Sequence, residues 1–247
     1  MSAPPVPGRL IPLSRRKGRP ACVMVPGAGG GIAPYLRLGA FLGEVYNVYA
    51  VRAAGLVPGE DPEATVPEMA GGVLRALEPS GLVPEVVFGW SMGGTVAWEV
   101  CATLAERGQH PDLVLVDCSP FRRPSDLGRD GEIREAVIEM LGPRPDEQTR
   151  DRVLRTFLAH VGALVEFDLR RGYGGRVLLL VCDGESDLGD RHAALRRWHA
   201  LAPRLHIGTL ATDHMRVFDR EHLPQLTTAI GHFLGMPVLG AQPEVAR

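Results

Sequence analysis

The sequence predicts an α/β fold, with a mainly parallel sheet and helices on both of its faces. Short runs of β-forming residues alternate along the chain with segments of helical periodicity. Most of these β-runs are almost continuously apolar, which is typical of strands that are covered on both sides. The length of 247 residues suits a single domain of this class, and 45% hydrophobic with 23% charged residues is ordinary for a globular protein.

These patterns place each element in order. Strands are predicted at residues 21–25, 45–51, 85–88, 113–116, 176–182 and 205–210. Helices are predicted at residues 34–42, 65–77, 93–107, 190–200 and 223–234. Around them, we assign residues 1–19 to a Pro- and Arg-rich N-terminal lead, 20–236 to the folded domain and 237–247 to a C-terminal tail.

Residues from about 120 to 175 break the alternation, because no strand is predicted there. Two helical patterns, at residues 132–141 and 146–167, carry apolar residues along one face, and Asp146 is placed to cap the second. We interpret this segment as a helical lid that lines a channel for an apolar substrate, with ordinary core packing as the alternative. Within the lid, Phe157 and Val161 are predicted to contact substrate.

The composition argues against several classes of function. A net charge of −2 gives no reason to expect nucleic acid or an anionic membrane as a partner. The lead has no apolar signal-peptide core and no apolar run approaches the ~20 residues that span a bilayer, so a cytoplasmic location is expected. The four cysteines have no metal-ligand spacing, so no metal site is predicted and they are expected to be small buried side chains: Cys22, Cys101, Cys118 and Cys182.

The most informative stretch is residues 86–94, where β-forming residues lead into Gly-Trp-Ser-Met-Gly and then into a helical segment. In such a turn a serine side chain is exposed between strand and helix, and small flanking residues relieve crowding. Gly89 and Gly93 occupy the flanking positions, so Ser91 is the candidate nucleophile. An ordinary tight turn is the competing interpretation. Trp90, next to the nucleophile, is predicted to contact substrate.

A serine nucleophile needs a base, and the base needs a carboxylate that orients it. His214 is the best placed of eight histidines, in the loop after the last predicted strand, whereas His160 on the lid is expected to be structural. Two carboxylates keep the chain order Ser, Asp, His: Asp117 ends the strand 113–116, and Asp187 lies in the loop after the strand 176–182. Asp183 is a third candidate, and spacing alone does not choose among them.

The negative charge that develops on an attacked carbonyl requires two backbone N–H donors. The amide of Met92, directly after the nucleophile, is the first. The second is expected from the Gly-rich loop 26–31, where we select Ala28 and keep Gly27 and Gly29 as alternatives. A phosphate-binding loop is the competing interpretation, but neither G-x-G-x-x-G nor a G-K-[ST] ending is present.

In their order and spacing, these motifs resemble the α/β-hydrolase thioesterases of nonribosomal peptide and polyketide synthesis. Four segments carry the resemblance over roughly residues 20–234: the Pro-Gly-Ala-Gly-Gly loop at 26–30, Tyr-Ala-Val-Arg-Ala-Ala-Gly-Leu at 49–56, Gly-Trp-Ser-Met-Gly-Gly at 89–94 and Leu-Val-Asp-Cys-Ser-Pro at 115–120. The chain departs from the family in the oxyanion loop, where it has Pro26 and Gly27 in place of the common His-Pro or a similar pair.

The resemblance implies an α/β-hydrolase fold and a serine thioesterase that releases an acyl, polyketide or peptidyl chain from the phosphopantetheine arm of an acyl or peptidyl carrier protein. It implies an acyl-Ser91 intermediate, resolved by hydrolysis or cyclisation without a metal or a dissociable cofactor. It favours Asp117 as the acid, because chain-terminating thioesterase domains typically carry the acid at this position. Many free-standing editing thioesterases instead carry it after the next strand, where Asp187 lies.

Two other functions are compatible with the same residues. A carboxylesterase or lipase would use Ser91, Asp117 and His214 on an oxygen ester, although the sequence has no lipase-like H-G-G-G loop. A non-catalytic module that binds carrier proteins would keep the fold without turnover. The short segments at both ends of the chain fit a discrete enzyme as well as a terminal domain. The sequence does not distinguish a discrete enzyme that edits misacylated carrier proteins from one that releases a finished product.

Overall fold

The computed structural model describes residues 8–124, 127–139, 142, 145–186 and 188–236. In this part of the chain one sheet contains seven strands: β1 (Leu10–Ser14), β2 (Ala21–Val25), β3 (Asn47–Val51), β4 (Pro84–Trp90), β5 (Asp112–Val116), β6 (Val177–Cys182) and β7 (Leu205–Leu210). Their order across the sheet is β1-β3-β2-β4-β5-β6-β7. Every neighbouring pair is parallel except β1 with β3.

The helices of the described residues are α1 (Leu36–Leu42), α2 (Val66–Leu77), α3 (Met92–Glu106), α4 (Leu127–Glu139), α5 (Glu147–Val165), α6 (Arg191–Leu201) and α7 (Leu223–Leu234). All predicted strands and helices are present, and outside the lid their ends lie within two residues of the prediction. Among the helices of the described residues, none has the length and apolar character that crossing a membrane requires.

Strand β1 was not predicted, and it corrects the assignment of residues 10–14 to a lead outside the sheet. It pairs antiparallel with β3, with Leu10 opposite Val51. Pro12 interrupts its pattern, and Pro is tolerated in a sheet only at an edge such as this one. Basic residues follow the strand directly, so its apolar stretch is too short to stand out from the sequence around it.

Two apolar clusters cover the two faces of the sheet. On one face, α2, α3 and α6 pack around Trp98 and Trp198, whose ring centroids are 5.0 Å apart. On the other face, α1 and α7 pack around Tyr35 and Phe88, whose ring centroids are 5.9 Å apart. The inner parallel strands therefore have apolar neighbours on both sides, whereas the edge strand β7 is largely exposed. The C-terminal ends of all the parallel strands share one edge of the sheet.

The insertion between β5 and β6 consists of α4 and α5, which contact each other. Asp146 caps α5 as predicted, because its carboxylate accepts the Thr149 N–H at 2.9 Å. Helix α4 begins earlier in the chain than predicted, and residues 140 and 141 of the predicted helix lie outside the described residues. Helix α5 serves both purposes that the sequence left open: Val153 lines a cavity above the sheet, whereas Leu164 belongs to the core.

Candidate active site

Ser91 stands alone between β4, which ends at Trp90, and α3, which begins at Met92. Its backbone has φ 55° and ψ −133°, a region that non-glycine residues rarely adopt. Two hydrogen bonds hold it there: its N–H donates to Val116 O at 3.0 Å, and its carbonyl accepts the Gly94 N–H at 2.9 Å. One hydrogen bond to β5 and one from α3 therefore hold this strained turn in place.

The two glycines of the motif are required by the close approach of the backbone around Ser91. A Cβ at Gly93 would lie 2.3 Å from the carbonyl oxygen of Val25, at the end of β2. A Cβ at Gly89 would lie 2.3 Å from the carbonyl oxygen of Gly93. Neither contact can be relieved by a side-chain movement, because the opposing atoms belong to backbone. The first turn of α3 can therefore sit directly against β2 and β4 only with glycine at both positions.

The structure brings Asp117 and His214 together at the same edge of the sheet. Asp117 follows β5 and is fully buried, and His214 opens a short 3₁₀ turn after β7 and is 3% exposed. Asp117 Oδ2 lies 2.7 Å from His214 Nδ1. Because a carboxylate only accepts hydrogen bonds, it holds the proton on Nδ1 and leaves the lone pair of Nε2 as the basic site.

Asp183, the other predicted acid among the described residues, does not take this position. Asp183 is exposed, and its backbone amide bonds the end of β7. Asp187 lies outside the described residues. Asp117, like Ser91, has a positive φ, of 45°, and these are the two non-glycine residues of the described chain with that backbone conformation. Of the two candidates among the described residues, Asp117 is the one whose carboxylate meets the imidazole.

Trp90 contacts both the base and the space above the nucleophile. Its ring stacks on the His214 imidazole, with centroids 5.1 Å apart and planes at 27°. It also lines a cavity that extends from Ser91, in agreement with the contact to substrate that the sequence predicted. A stacked indole restricts the tilt of the imidazole, so this residue fixes the plane of the ring that Asp117 orients from its edge.

The two predicted oxyanion donors, the backbone amides of Met92 and Ala28, donate no hydrogen bond within the described part of the chain. The amide of Met92 is the first of α3 and so has no partner within the helix, and we find no hydrogen bond from the Ala28 amide either. Gly27 is excluded as the second donor, because its N–H already donates to the hydroxyl of Tyr35 at 2.8 Å. Ala28 and Ser91 line the same cavity, which keeps Ala28 as the selected donor, with Gly29 beside it.

A cavity of about 310 Å³ extends from Ser91 beneath the lid. Its walls come from the oxyanion loop, from both lid helices and from the segment around His214, and they are mostly apolar. Apart from the Gly-rich loop 26–31, Trp90, Ser91 and His214, the residues that line it are Ile32, Ala33, Pro34, Leu56, Ile133, Val137, Thr149, Val153 and Met215. The lid therefore covers the nucleophile with apolar side chains, as its sequence pattern predicted.

Phe157 and Val161 are not among the side chains that line this cavity, which corrects their predicted contact with substrate. Both are buried, at 1% and 9% exposure, further along α5 than Thr149 and Val153. The helix faces the cavity with its first turns and then descends into the core, where Leu164 packs. Phe157 and Val161 do lie on a buried face of α5, as the periodicity predicted, but the depth at which that face leaves the cavity depends on tertiary packing.

A second cavity, of about 200 Å³, meets Ser91 from the other side and was not predicted. Polar and charged groups contribute to its walls, including Thr95, Ser119, Arg122 and Arg123. Arg122 pairs with Asp168 at 3.2 Å, and Arg123 pairs with Asp130. The adjacent arginines that follow β5 are the one sequence signal that could have indicated a polar wall near the nucleophile.

His160 does not compete with His214 as a base. It lies on α5 at 2% exposure, beside Arg9 and Glu63, away from the Asp117 carboxylate. Burial, with a smaller contribution from the positive charge of Arg9, lowers the pKa of His160 to about 4. Its imidazole is therefore neutral at pH 7 and belongs to the packing of the lid, as expected from the sequence.

Comparisons with known proteins agree with this geometry. The family model described as Thioesterase domain matches residues 21–234. A dimodular nonribosomal peptide synthase of Bacillus subtilis (strain 168) is 29% identical over 56% of this chain, and the thioesterase frbE of Dothideomycetidae sp. (strain 11243) is 34% identical over 54% of it. The chain spans 6% of the length of the synthase and 55% of the length of frbE.

A solved structure is similar over nearly the whole chain. It is the NocB thioesterase domain in covalent complex with a fluorophosphonate nocardicin G analogue, with a TM-score of 0.71 and 29% identity over 87% of this chain and 95% of that chain. Together with the family match, it confirms the α/β-hydrolase fold and the resemblance that the motifs indicated.

Proposed function

Because this chain belongs to the thioesterase domain family, we propose that it releases an acyl, polyketide or peptidyl chain from the phosphopantetheine arm of a carrier protein. The observation that carries the proposal is the arrangement around Ser91. A strained serine at the start of a helix shares one cavity with an imidazole that a buried carboxylate orients. This is the set of groups that acyl transfer through a serine ester requires.

In the first step, Nε2 of His214 takes the proton of the Ser91 hydroxyl while Oγ attacks the thioester carbonyl carbon. The negative charge moves onto the carbonyl oxygen, where the amides of Met92 and Ala28 donate to it. As the tetrahedral intermediate collapses, the C–S bond breaks and the imidazolium returns its proton to the leaving thiolate. The products are acyl-Ser91 and the free thiol of the arm.

In the second step, the acyl group leaves Ser91 for another nucleophile. His214 removes a proton from water, or from a hydroxyl or amine of the acyl chain itself, and this nucleophile attacks the ester carbonyl. Collapse of the second intermediate returns the proton to Ser91 Oγ. Water gives an acid and an internal nucleophile gives a ring. Asp117 stabilises the imidazolium in both steps without itself becoming protonated.

The two cavities at Ser91 support a division of the substrate at its scissile bond. The larger cavity is mostly apolar, and we assign it to the acyl chain. The smaller one includes hydroxyl and guanidinium groups, and we assign it to the amide-bearing arm. The nucleophile lies where the two meet, as attack on the bond that joins acyl group and arm requires.

The reaction as proposed needs no metal and no dissociable cofactor, because the thioester is already activated and the arm arrives with the substrate. Its macromolecular partner is an acyl or peptidyl carrier protein, in line with the synthase that contains a segment similar to this chain. We place the reaction in the cytoplasm as part of the same proposal, with the four cysteines present as buried thiols.

Intact-mass analysis with a panel of acyl-carrier thioesters tests the proposal. We expect an acyl adduct on the wild-type protein, turnover of the adduct with time, and no adduct on Ser91→Ala. Acyl-N-acetylcysteamine thioesters and p-nitrophenyl esters of the same acyl group are compared in parallel. A strong preference for the oxygen ester would assign the protein to the carboxylesterases. Failure of a fluorophosphonate to label the folded protein would indicate a non-catalytic binding module.

A further inference from the structure

Asp117 is held by donors other than the imidazole, and one of them is a side chain that has no part in the steps above. The hydroxyl of Ser186 lies 2.7 Å from Asp117 Oδ1, and the backbone amide of Cys182 lies 2.9 Å from the same oxygen. The other oxygen, Oδ2, faces His214 Nδ1. Because the carboxylate is fully buried, these donors take the place of water around its charge.

The direction of the Ser186 hydroxyl follows from its second partner. The backbone amide of Leu188 donates to Ser186 Oγ at 3.3 Å, so this oxygen acts as an acceptor toward the chain that follows it. A carboxylate offers no proton, and the short contact to Asp117 therefore requires the hydroxyl to donate. Ser186 thus directs its one proton at the acid of the acid–base pair.

The segment that carries Ser186 also holds the backbone of the base. The Glu185 N–H donates to Asp213 Oδ1 at 2.9 Å, and the His214 N–H donates to the carbonyl of Glu185 at 2.7 Å. Gly184 allows this approach, because a Cβ there would lie 2.1 Å from Asp213 Oδ1. The loop after β6 and the loop after β7 are therefore joined at Glu185, directly before Ser186, which fixes the position of the Ser186 hydroxyl relative to the imidazole.

We propose that Ser186 is a positioning residue, whose hydroxyl fixes the rotation of the Asp117 carboxyl group so that Oδ2 meets His214 Nδ1. The inference rests on the proposed function in one respect, namely that Ser91, Asp117 and His214 are the reacting set. With two donors at Oδ1, the carboxyl plane is determined. Without the hydroxyl, Oδ1 loses one of these two donors, and the acid–base contact is made for a smaller fraction of the time.

Labelling of Ser91 by a fluorophosphonate, followed by intact mass, tests this role without knowledge of the acyl group. For Ser186→Ala we expect labelling about tenfold slower, the loss expected for one hydrogen bond to a charged group. For an N-acetylcysteamine thioester that the wild type turns over, kcat falls by a similar factor and KM is unchanged. Ser186→Thr keeps the hydroxyl and recovers labelling to within about threefold of the wild-type rate.

A double-mutant cycle separates positioning from a general structural effect. In an Asp117→Asn background, Ser186→Ala should slow labelling no further, because the hydroxyl then has no carboxylate to orient. Ser80→Ala is the control, since Ser80 bonds the Leu77 carbonyl before β4, at the opposite edge of the sheet. Ser186→Cys keeps the shape but donates weakly, and it replaces the alanine variant in every comparison if that variant does not fold.

Three results would each overturn the inference. The first is a wild-type labelling rate in Ser186→Ala, and the second is a Ser186→Ala substitution that slows labelling as much in the Asp117→Asn background as in the wild type. The third is a labelling rate in Ser186→Thr that is no faster than in Ser186→Ala. Failure of the proposed function is a different result: the wild type would label with the fluorophosphonate and still leave carrier thioesters intact.

Discussion

The C-terminal edge of the sheet and the helical lid are stabilised in different ways. At the edge, the acid and the nucleophile are held by hydrogen bonds: Asp117 accepts from Cys182, Ser186 and His214, and the backbone of Ser91 is hydrogen-bonded on both sides. On the inner face of α5, buried Thr156 Oγ1 and His160 Nδ1 have no hydrogen-bond partner among the described residues. The edge is thus held by directional bonds and the lid by apolar packing, which tolerates small displacements better.

This difference matches two requirements of the proposed reaction, namely proton transfer and binding of the acyl chain. Proton transfer between Ser91 and His214, with Asp117 orienting the imidazole, depends on hydrogen-bond geometry and is sensitive to errors well below 1 Å. Binding an apolar acyl chain depends on cavity volume and surface, and packed apolar side chains adapt to both. Changes at the edge should therefore affect rate, and changes in the lid should affect stability and substrate range.

The largest expected effect comes from a methyl group added at the edge. In Gly93→Ala the new Cβ would meet the Val25 carbonyl at 2.3 Å, so α3 must move away from β2. We expect a loss of about 3 kcal/mol in the free energy of unfolding. We also expect at least a hundredfold loss in kcat, on the order reported for removal of an oxyanion donor, because α3 carries the Met92 amide.

The matched control is the same substitution in the lid. Gly162 lies within α5 with nothing within 4 Å of an added Cβ, and its φ is not positive. Gly162→Ala should raise the free energy of unfolding by about 0.5–1 kcal/mol, the helix preference for alanine, with kcat unchanged. Urea unfolding and steady-state kinetics are measured on both variants. Equal changes in unfolding free energy and in kcat would mean that the edge tolerates an added methyl group as well as the lid does.

The second prediction concerns acid stability and depends on the lid. The folded chain keeps His160 neutral, with a pKa of about 4, whereas the ordinary pKa of histidine is 6.5. Between these two pH values the unfolded chain binds a proton that the folded chain does not. Stability is therefore lost as pH falls from 6.5 to about 4, by up to about 3 kcal/mol, and little more is lost from this group below that range.

Replacement of the imidazole should remove this dependence. The difference in unfolding free energy between pH 7 and pH 4.5, measured by urea, should be smaller in His160→Leu than in the wild type. His192→Leu is the control, since His192 is exposed on α6. The carboxylates around the lid, Glu63 included, are the same in all three proteins, so their contribution cancels in the comparison. If the loss of stability between pH 7 and pH 4.5 were unchanged in His160→Leu, a group other than this imidazole would be responsible for the acid sensitivity.

Much of the edge could be predicted from the sequence, because parallel strands buried on both faces leave continuous apolar runs and put their following residues at one edge. Ser91 and Asp117 each follow such a run, whereas His214 lies in the loop after β7, an edge strand that is largely exposed. Ser186 could not be predicted, because its partner is 69 residues away and a serine in a loop has no distinctive pattern. Strand β1 was missed because one proline and flanking polar residues obscure a short edge strand.

The lid was predicted as a pattern but not as a set of contacts. Helical periodicity identifies the inner face of α5, and Thr149, Val153, Phe157 and Val161 follow one another at intervals of four residues. Which of them reach the substrate cavity depends on the height of the helix above the sheet at each turn. That height is set by the packing of α4, α5 and the core, which a single sequence does not encode locally.

The smallest expected effect compares two neighbours on this face. Val153 lines the cavity and Phe157 does not, although both are buried. Val153→Phe should narrow the cavity and lower kcat/KM for an octanoyl relative to an acetyl N-acetylcysteamine thioester by about tenfold, the discrimination that a small change in an apolar pocket provides. Phe157→Leu should leave that ratio unchanged and reduce the free energy of unfolding by about 1–2 kcal/mol. A change of chain-length preference in Phe157→Leu alone would restore the assignment made from periodicity, and it would mean that the cavity extends further along α5 during turnover than it does in this structure.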